Sequence, residues 1–417
     1  MRQSVFIALL LIMGSCANPK TKNEFWNDGK AVFELSEIFA GERFPNVVTA
    51  KDGSIVATWG NKSYQVRRSE DGGKSWGPIN KLAEPGFQGG GVIVDESNGD
   101  ILAFVEEGHP ISPYKMYRSK DHGKTWAAEE TTLMPDNMGN TPSMHMNEHG
   151  ITLQFGEKKG RLIRATRNYD GGNNKEFWPN HYTNAIYSDD AGKTWHTSAP
   201  FPANGTGEAT LTELSDGTIY YNSRRHLSTD GLNPRMRHIA HSKDGGETWE
   251  GLYVSEELPD GDQSGDYGLM AGLIRLPIEG HDVLLYSNIV SNDGRNHGTV
   301  WASFDGGKTW PVNKLVEEGK FAYSSMTAGR AGTPSEGLIY LFFEGEGEDP
   351  KGYSGKMAIF NLAWLLDGKD WEGFLDNCKW LIVNDYVKFG NLSGFVDHQP
   401  AVRIRRVKPG RFYHYWN

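Results

Sequence analysis

The chain has 417 residues and a formal net charge of −10, with 51 glycines and an aromatic content of 12%. No basic run accompanies that negative charge, which argues against a nucleic-acid partner. Abundant glycine together with aromatic residues predicts many short strands joined by glycine-rich turns, and therefore an all-β protein. An acidic protein of this kind has to concentrate positive charge locally if it binds an anion.

The N-terminal segment resembles an export signal. Arg2 precedes the apolar run VFIALLLIM at residues 5–13, which is too short to span a bilayer as a helix. The run leads into MGSC, which resembles the lipobox of bacterial lipoproteins and implies a lipid on Cys16. An ordinary signal peptide is the alternative. We expect an exported bacterial lipoprotein of the cell envelope, in the periplasm or on the outer-membrane surface, that touches the membrane only through its anchor.

One octapeptide recurs five times and determines the expected architecture. The copies SEDGGKSW, SKDHGKTW, SDDAGKTW, SKDGGETW and SFDGGKTW begin at residues 69, 119, 188, 242 and 303. Their separation of roughly 50–70 residues is typical of propeller blades. The aspartate of each copy can accept backbone N–H bonds, the glycine two places later permits positive φ, and the tryptophan can pack between strands. We therefore expect these aspartates to be structural and not catalytic.

The octapeptides are Asp boxes, a repeat that sialidases share with several unrelated β-propellers. Since one four-stranded sheet cannot bury both its faces alone, five boxes predict a ring of four-stranded antiparallel sheets. A sixth blade without a box is expected from Phe321 onward, with strands at 337–343 and 356–360. Pairing of one of these strands with an early one near residues 31–35 would close a six-bladed β-propeller. The tail at 371–417 is expected to complete the last blade or cover an edge.

Beyond the boxes, nearly the whole mature chain resembles bacterial sialidases, and the resemblance extends to their active-site motifs. The matching segments, in chain order, are ERFP at 42–45, GEATLTELSDG at 207–217 with YNSR at 221–224, RNHGTV at 295–300, AYSS at 322–325 and FFE at 342–344.

The resemblance implies a carboxylate-binding triad of Arg43, Arg224 and Arg295, with Glu344 steadying the first arginine. Sialic acids and related 2-ulosonic acids carry a carboxylate on the anomeric carbon. Converging guanidiniums would bind it through charge-assisted, partly bidentate hydrogen bonds.

The resemblance also implies a tyrosine nucleophile, Tyr323, with Glu208 as the base that takes its proton. A carboxylate nucleophile would approach a carbon that already bears a carboxylate, and a neutral phenol avoids that repulsion; sialidases are the known tyrosine exception among glycosidases. Because a phenol has a pKa near 10, a neighbouring base must assist the attack.

One part of the expected apparatus is missing from the sequence. Family members carry an aspartate acid/base on a loop after the first arginine, but here residues 60–62 form only a tight hairpin without a carboxylate. Four other residues are candidates for the acid/base: Glu107 and His109 on the corresponding loop of the next blade, and His145 and Glu148 on a later stretch. The alternative for each is a solvated loop or a substrate contact.

A long segment at 168–181, NYDGGNNKEFWPNH, is expected to lie on the binding face, where Trp178 is placed to stack on a sugar. We find no metal-ligand spacing and no phosphate-binding glycine loop, so neither a metal nor a cofactor is expected. Cys378 is the second of two cysteines and has no expected partner, so no disulfide is predicted.

These observations predict a signal peptide (1–15), a lipidated tether (16–30) and a sialidase-like β-propeller (31–417). The expected function is that of a retaining exo-α-sialidase acting on sialylated glycans through a covalent intermediate on Tyr323. Two alternatives stay open: hydrolysis of glycosides of another 2-keto-3-deoxy sugar acid, and a propeller that binds sialic acid without turnover.

Overall fold

The structure is a computed structural model that describes residues 26, 29–88, 90–145, 148–265, 268–348, 352–369 and 371. The predicted signal peptide, Cys16, most of the tether, Cys378 and the segment 372–417 lie outside the described residues. Within the described ranges, no helix combines the length and the apolar character that crossing a bilayer requires.

The described chain is almost entirely β, and it begins with β1 (Phe33–Phe39), which belongs to the last blade. Blade 1 consists of β2 (Asn46–Thr49), β3 (Ile55–Trp59), β4 (Tyr64–Ser69) and β5 (Asn80–Ala83). Blade 2 consists of β6 (Phe87–Gln88), β7 (Ile93–Val94), β8 (Ile101–Glu106), β9 (Tyr114–Ser119) and β10 (Ala127–Glu129). Blade 3 consists of β11 (Thr132–Leu133), β12 (Ile151–Thr152), β13 (Leu162–Asn168), β14 (Tyr182–Ser188) and β15 (Thr194–Thr197).

The second half of the chain continues the pattern. Blade 4 consists of β16 (Thr206–Glu213), β17 (Ile219–Arg225), β18 (Met236–Ser242) and β19 (Glu250–Pro259). Blade 5 consists of β20 (Gly272–Arg275), β21 (Leu284–Ile289), β22 (Asn296–Ser303) and the first part of β23 (Val312–Ala328). Blade 6 consists of the rest of β23, β24 (Ile339–Glu346), β25 (Tyr353–Phe360) and β1. A 3₁₀ helix at Lys175–Asn180 precedes β14, and a short helix α1 (Leu362–Leu365) follows β25.

The long strand β23 explains why the described strands form five hydrogen-bonded sheets but six blades. Its first part, residues 312–320, pairs with β22, and its second part, residues 321–328, pairs with β24. The seven-stranded sheet of blades 5 and 6 is therefore two four-stranded units joined through one strand. Tyr323 lies near the start of the second part.

The ring closes through its two ends. Strand β1 pairs antiparallel with β25, from Phe33 opposite Phe360 to Glu37 opposite Lys356. The innermost strands of successive blades also contact one another, and β2 of blade 1 contacts both β7 of blade 2 and β23 of blade 6. The expected pairing of an early strand with a late one is thus confirmed, as are both predicted strands of blade 6.

The Asp boxes join the third and fourth strands of blades 1 to 5, and their aspartates bond to their own turns. In the second box, Asp121 accepts hydrogen bonds from the Ser119 hydroxyl (2.8 Å) and from the Thr125 backbone N–H (2.8 Å). Gly123 has a φ of 87° and donates its N–H to Ser119 Oγ at 2.8 Å. The other four boxes repeat these bonds, which confirms the structural role.

The hydrophobic core lies between neighbouring blades, and box tryptophans are part of it. Trp195 is fully buried and packs with Leu102 and Phe104 of blade 2. Trp310 packs in the same way with Tyr220 and Ile239 of blade 4. The boxes thus fix blade spacing, which in turn fixes where side chains at the inner ends of the blades meet.

Candidate active site

Side chains from all six blades line one cavity of about 320 Å³. Residues far apart in sequence meet here because the inner strands of the ring converge. The lining residues are Arg43, Phe44, Asn61, Phe87, His109, His145, Arg167, Tyr169, Asn173, Trp178, Glu208, His226, Arg295 and Tyr323. Seven residues named from the sequence are in this group: Arg43, His109, His145, Trp178, Glu208, Arg295 and Tyr323.

Arg43 is held in a bidentate ion pair with Glu344. Its Nε donates to Glu344 Oε1 at 2.9 Å and its Nη2 donates to Oε2 at 2.8 Å. The Glu344 side chain is fully buried and also accepts the backbone N–H of Phe44 at 3.1 Å. Phe44 adopts a φ of 79°, a conformation that is costly for a bulky residue, and the same carboxylate holds it there. This is the contact that the predicted orienting role of Glu344 requires.

Tyr323, Glu208 and Arg224 form a buried hydrogen-bonded group. The Tyr323 hydroxyl donates to Glu208 Oε1 at 3.1 Å, and Arg224 Nη1 lies 3.2 Å from the same hydroxyl. Arg224 Nη1 also donates to Glu208 Oε2. The Arg224 side chain is fully buried and does not belong to the cavity lining. It is paired with Glu208, which does line the cavity.

All three predicted arginines surround Tyr323. The guanidinium carbons of Arg43 and Arg295 each lie 5.3 Å from the Tyr323 ring centroid, and Arg224 contacts the hydroxyl. The chain thus brings together positive charges from blades 1, 4 and 5 around one tyrosine of blade 6. In a protein of net charge −10, this is the local concentration of positive charge that binding an anion requires.

The local charges set the protonation states of the pair. Burial by itself would raise the pKa of Glu208, but the Arg224 and Arg167 guanidiniums outweigh it and hold the pKa below its usual value. Burial and the Glu208 carboxylate raise the pKa of Tyr323 to about 12, against the opposing effect of the arginines. At neutral pH the pair is therefore a neutral phenol hydrogen-bonded to a carboxylate, which is the arrangement that the predicted roles of Tyr323 and Glu208 require.

The shortened hairpin after β3 is built as expected, and the half-buried carboxylate of Glu42 holds it in place. Glu42 Oε2 accepts the backbone N–H groups of Asn61 (2.9 Å), Lys62 (2.9 Å) and Ser63 (3.2 Å). Because these bonds and the Ser63 hydroxyl outweigh burial, the pKa of Glu42 is lowered. The turn presents the Asn61 side chain to the cavity, so an amide stands on the hairpin where the family carries its acid.

Two of the four acid/base candidates line the cavity. The rings of His109 and His145 lie 4.7 Å apart, and both pack against Phe87. The Asn173 amide donates to His109 Nδ1 at 2.8 Å. Burial lowers the pKa of both histidines, with a further contribution from Arg167. Glu107 is not among the lining residues.

Glu148 is also absent from the lining, which makes it a wrong candidate for the acid. It is fully buried between blades, where Oε1 accepts the Ser325 hydroxyl and the Met326 N–H, both at 2.9 Å, and Asn46 Nδ2 lies 3.3 Å from Oε2. Burial raises its pKa well above the usual value. Its role is to satisfy polar groups on two neighbouring inner strands.

The segment 168–181 reaches the cavity, as predicted, and brings residues that the sequence analysis did not single out. Trp178 lies on the 3₁₀ helix with its ring 5.4 Å from that of His226. Arg167 and Tyr169 flank the last residue of β13 and also line the cavity. An arginine at an otherwise buried strand end, directly before a glycine-rich loop, is the sequence signal that would have identified Arg167.

A second cavity, of about 360 Å³, contains no residue of the arginine triad. Both arginines that line it are paired with carboxylates. Arg330 Nη1 lies 3.0 Å from Glu96 Oε2, and Arg275 Nε lies 2.6 Å from Asp282 Oδ1. Paired charges of this kind leave no net positive field, so this cavity is not an anion site.

Comparison with known proteins identifies relatives over most of the chain. The BNR repeat-like domain family matches residues 60–335. The sialidase of Micromonospora viridifaciens is 30% identical over 374 residues, which cover 79% of this chain and 53% of that protein. The sialidase of Bacteroides fragilis is 25% identical over 338 residues, which cover 69% of this chain and 58% of that protein. The chain thus spans little more than half the length of these curated relatives.

Solved structures of sialidases share the fold. A Hadza microbial sialidase superimposes with a TM-score of 0.59 at 23% identity, covering 78% of this chain and 66% of that one. The intramolecular trans-sialidase of Ruminococcus gnavus, solved with oseltamivir carboxylate, superimposes with a TM-score of 0.59 at 15% identity, covering 79% and 98% of the two chains. The propeller arrangement is therefore shared with known sialidases.

Proposed function

The chain belongs to the BNR repeat-like domain family, and from that premise we propose that it is an exo-α-sialidase, a glycoside hydrolase that removes terminal sialic acid from glycoconjugates with retention of configuration. The observation that carries the proposal is the Tyr323 hydroxyl, which donates to Glu208 at 3.1 Å while three arginines surround it. The sialidases among its relatives support the same reaction class.

Recognition of the sugar begins with its carboxylate. Arg43 and Arg295 present guanidiniums to the cavity, and Arg224 adds a third positive charge beneath the Tyr323 hydroxyl. A carboxylate bound beside Tyr323 places the anomeric carbon that carries it next to the phenol oxygen. Glu344 keeps Arg43 in position through its two hydrogen bonds.

The first chemical step forms a bond between Tyr323 Oη and the anomeric carbon. As that bond forms, the phenol proton passes to Glu208 Oε1, and the bond from the anomeric carbon to the leaving oxygen breaks. Glu208 is suited to this because its lowered pKa keeps it ionised before attack. In the second step a water oxygen replaces Tyr323, which recovers its proton from Glu208.

We assign the acid/base to His109. The ring acts as an acid in its imidazolium form, which gives a proton to the leaving oxygen and leaves a neutral imidazole. Nδ1 faces the Asn173 side chain at 2.8 Å, so Nε2 is the nitrogen that is left for the substrate. His145 is more deeply buried and packs behind it, while Asn61 on the shortened hairpin has no proton to give as an acid. After the glycan leaves, the imidazole takes a proton from the attacking water, so the two half-reactions balance.

Two alternatives use the same geometry. The first is hydrolysis of glycosides of another 2-keto-3-deoxy sugar acid, which the replaced acid loop favours because that loop faces the sugar and its leaving group. The second is a propeller that binds sialic acid without turnover. Both keep the arginines; only the second makes the Tyr323–Glu208 pair unnecessary.

The test is turnover by the purified full chain. It is incubated with an aryl α-sialoside and with aryl glycosides of other ulosonic acids, and the anomer released first is identified by NMR. Release of the α-anomer, and a sugar adduct on Tyr323 seen by mass spectrometry with a slowly hydrolysed fluorosugar, are the expected results. Release of the β-anomer, or tight binding of a 2,3-unsaturated analogue with no product from any glycoside, contradicts the proposal.

A further inference from the structure

Arg167 differs from Arg43 and Arg224 because it has no carboxylate partner among the described residues. Its side chain is buried, with 3% of the residue exposed, and it lines the cavity. Arg43 and Arg224 each have a carboxylate of their own, Glu344 and Glu208. Among the described residues, no carboxylate oxygen lies within 4.0 Å of the Arg167 guanidinium, and its Nε has no hydrogen-bond partner.

The partners that Arg167 does have are neutral. Nη2 lies 2.9 Å from His181 Nδ1, and His181 Nε2 lies 2.8 Å from the Gly172 carbonyl oxygen. A carbonyl only accepts, so Nε2 carries the proton and Nδ1 accepts from Arg167. Burial and Arg167 lower the pKa of His181 to about 4, which keeps the ring uncharged at neutral pH. The positive charge of Arg167 is therefore not neutralised by direct contact.

Tyr169 completes the arrangement as a second donor. Arg167 Nη1 donates to the Tyr169 hydroxyl at 3.3 Å, and no described acceptor takes the proton of that hydroxyl. Burial raises the pKa of Tyr169, so the phenol stays neutral and keeps its proton. A buried guanidinium and a phenol O–H on one cavity wall are a donor set for an anion, since a buried charge is stable only when it is paired.

The Glu208 carboxylate does not serve as a direct partner of Arg167, because it already has hydrogen-bond partners of its own. Glu208 accepts hydrogen bonds from Arg224 and Tyr323. Arg167 acts on Glu208 only through its positive charge, which helps to lower the pKa of Glu208. In the proposed function, the arginines around Tyr323 bind the anomeric carboxylate of the sugar acid. A third anion is needed to neutralise Arg167.

We propose that Arg167 and Tyr169 bind a second carboxylate of the substrate, so that the enzyme acts on a dicarboxylate glycan terminus. This inference rests on the proposed hydrolase function. The second carboxylate has two possible sources with the same chemistry: the exocyclic tail of the ulosonic acid itself, or a uronic acid to which that sugar is linked.

Matched substrates and variants test the proposal. The full chain is assayed with an aryl α-sialoside, with the same glycoside whose exocyclic tail is oxidised to a carboxylate, and with sialosides of a uronic acid and of the corresponding neutral sugar. The variants are Arg167→Gln, Tyr169→Phe and, as a matched control, Arg68→Gln, whose guanidinium pairs with Asp52 on the surface of blade 1.

The expected result is a preference of wild type for one dicarboxylate, by about 10- to 100-fold in kcat/KM. Arg167→Gln should abolish that preference, so that kcat/KM for the dicarboxylate falls about 10- to 100-fold more than kcat/KM for the monocarboxylate sialoside when each is measured on the plateau of the variant's own pH profile. Tyr169→Phe should be intermediate and Arg68→Gln unchanged. The oxidised tail identifies the first source, and the uronic acid leaving group the second.

An equal loss of kcat/KM on all substrates would mean that Arg167 acts by lowering the pKa of Glu208 and not by binding a second carboxylate. Equal activity of wild type on monocarboxylate and dicarboxylate substrates would also overturn the inference. Calorimetry with 2,3-unsaturated mono- and dicarboxylate sugars separates this outcome from failure of the hydrolase proposal. If the protein binds dicarboxylate sugars more tightly, if this depends on Arg167, and if no substrate is turned over, only the hydrolase proposal is contradicted. If sialosides are hydrolysed without any preference for dicarboxylate sugars, only the second-carboxylate site is contradicted.

Discussion

Two parts of the same cavity are built by different means. The nucleophile side consists of Arg43, Glu208, Arg224, Arg295, Tyr323 and Glu344, which come from blades 1 and 4 to 6. The blade 2–3 side consists of Phe87, His109, His145, Arg167, Tyr169 and Trp178. On the first side charges pair within one blade or between neighbouring blades, as Arg43 of blade 1 does with Glu344 of blade 6. On the second side aromatic and imidazole rings pack together, and the Arg167 cation has no carboxylate partner among the described residues.

The difference indicates a division of labour. Charge pairs around Tyr323 serve the chemistry at the anomeric carbon, which is the same for every ulosonic acid. The packed rings and the Arg167 cation of the blade 2–3 side would contact the parts that differ between substrates. These are the exocyclic tail of the sugar and the leaving group, which has to receive a proton. Variants on the nucleophile side should therefore abolish activity on every substrate, whereas variants on the blade 2–3 side should change which substrates are accepted.

The largest expected effect is that of Tyr323→Phe. Removing the nucleophilic oxygen should lower kcat by roughly 10⁴-fold or more on all substrates, because the members of a catalytic unit act together. The ring keeps its stacking with Phe44 at 5.9 Å, so the thermal unfolding midpoint should stay close to that of wild type. Activity within about tenfold of wild type would remove the tyrosine from the mechanism.

His109→Gln should have an effect that depends on the leaving group. Turnover of a natural glycan should fall by about 10²–10⁴-fold, while an aryl glycoside whose phenol needs no protonation should lose little in the first step. A similar loss on both substrates would contradict the role of acid.

The pH profile sharpens this assignment. His109 acts as an acid in its protonated form, and burial with Arg167 lowers its pKa, so kcat/KM for a natural glycan should fall as pH rises through a value below the usual 6.5. Arg167→Gln should move that descending limb to higher pH, because a repelling positive charge is removed. A limb that does not move would show that another group titrates.

Glu344→Gln tests the ion pair that holds Arg43. The change keeps the shape of the side chain but removes its charge. One of the two hydrogen bonds from Arg43 is lost, because the amide nitrogen cannot accept, and the other becomes weaker. Hydrogen bonds to charged groups contribute about 1.5–3 kcal/mol each, which predicts a loss of about 10- to 100-fold in kcat/KM, mainly through KM. An unchanged KM for the sialoside would mean that Arg43 does not bind the carboxylate.

The residues of the nucleophile side were identified through the resemblance of their segments to sialidase motifs, and the structure brings them together around Tyr323. A carboxylate on the anomeric carbon calls for arginines and a neutral nucleophile, and the box repeats place the segments that carry them on separate blades. The ring closure of β1 with β25 followed from the same repeats. What the sequence did not reveal is that Arg224 is fully buried against Glu208.

The blade 2–3 side was only partly predictable because it depends on loop conformation. Trp178 and His109 were named as candidates, but Arg167, Tyr169 and Asn61 reach the cavity through the ends of strands and through a turn that Glu42 holds. Glu148 was misplaced for the same reason: its side chain enters the interface between blades and does not reach the cavity.

The smallest expected effect belongs to Trp178→Ala. The indole is half-buried beside His226, and its Nε1 donates to the Asn173 carbonyl at 3.3 Å, so its ring is fixed at the edge of the cavity. An aromatic contact contributes about 0.5–1.5 kcal/mol beyond burial, which predicts a rise in KM of about 2- to 10-fold with kcat nearly unchanged. Trp178→Phe should recover most of the loss. If kcat fell instead, Trp178 would be acting as a positioning residue that holds Asn173 and, through it, the acid/base His109.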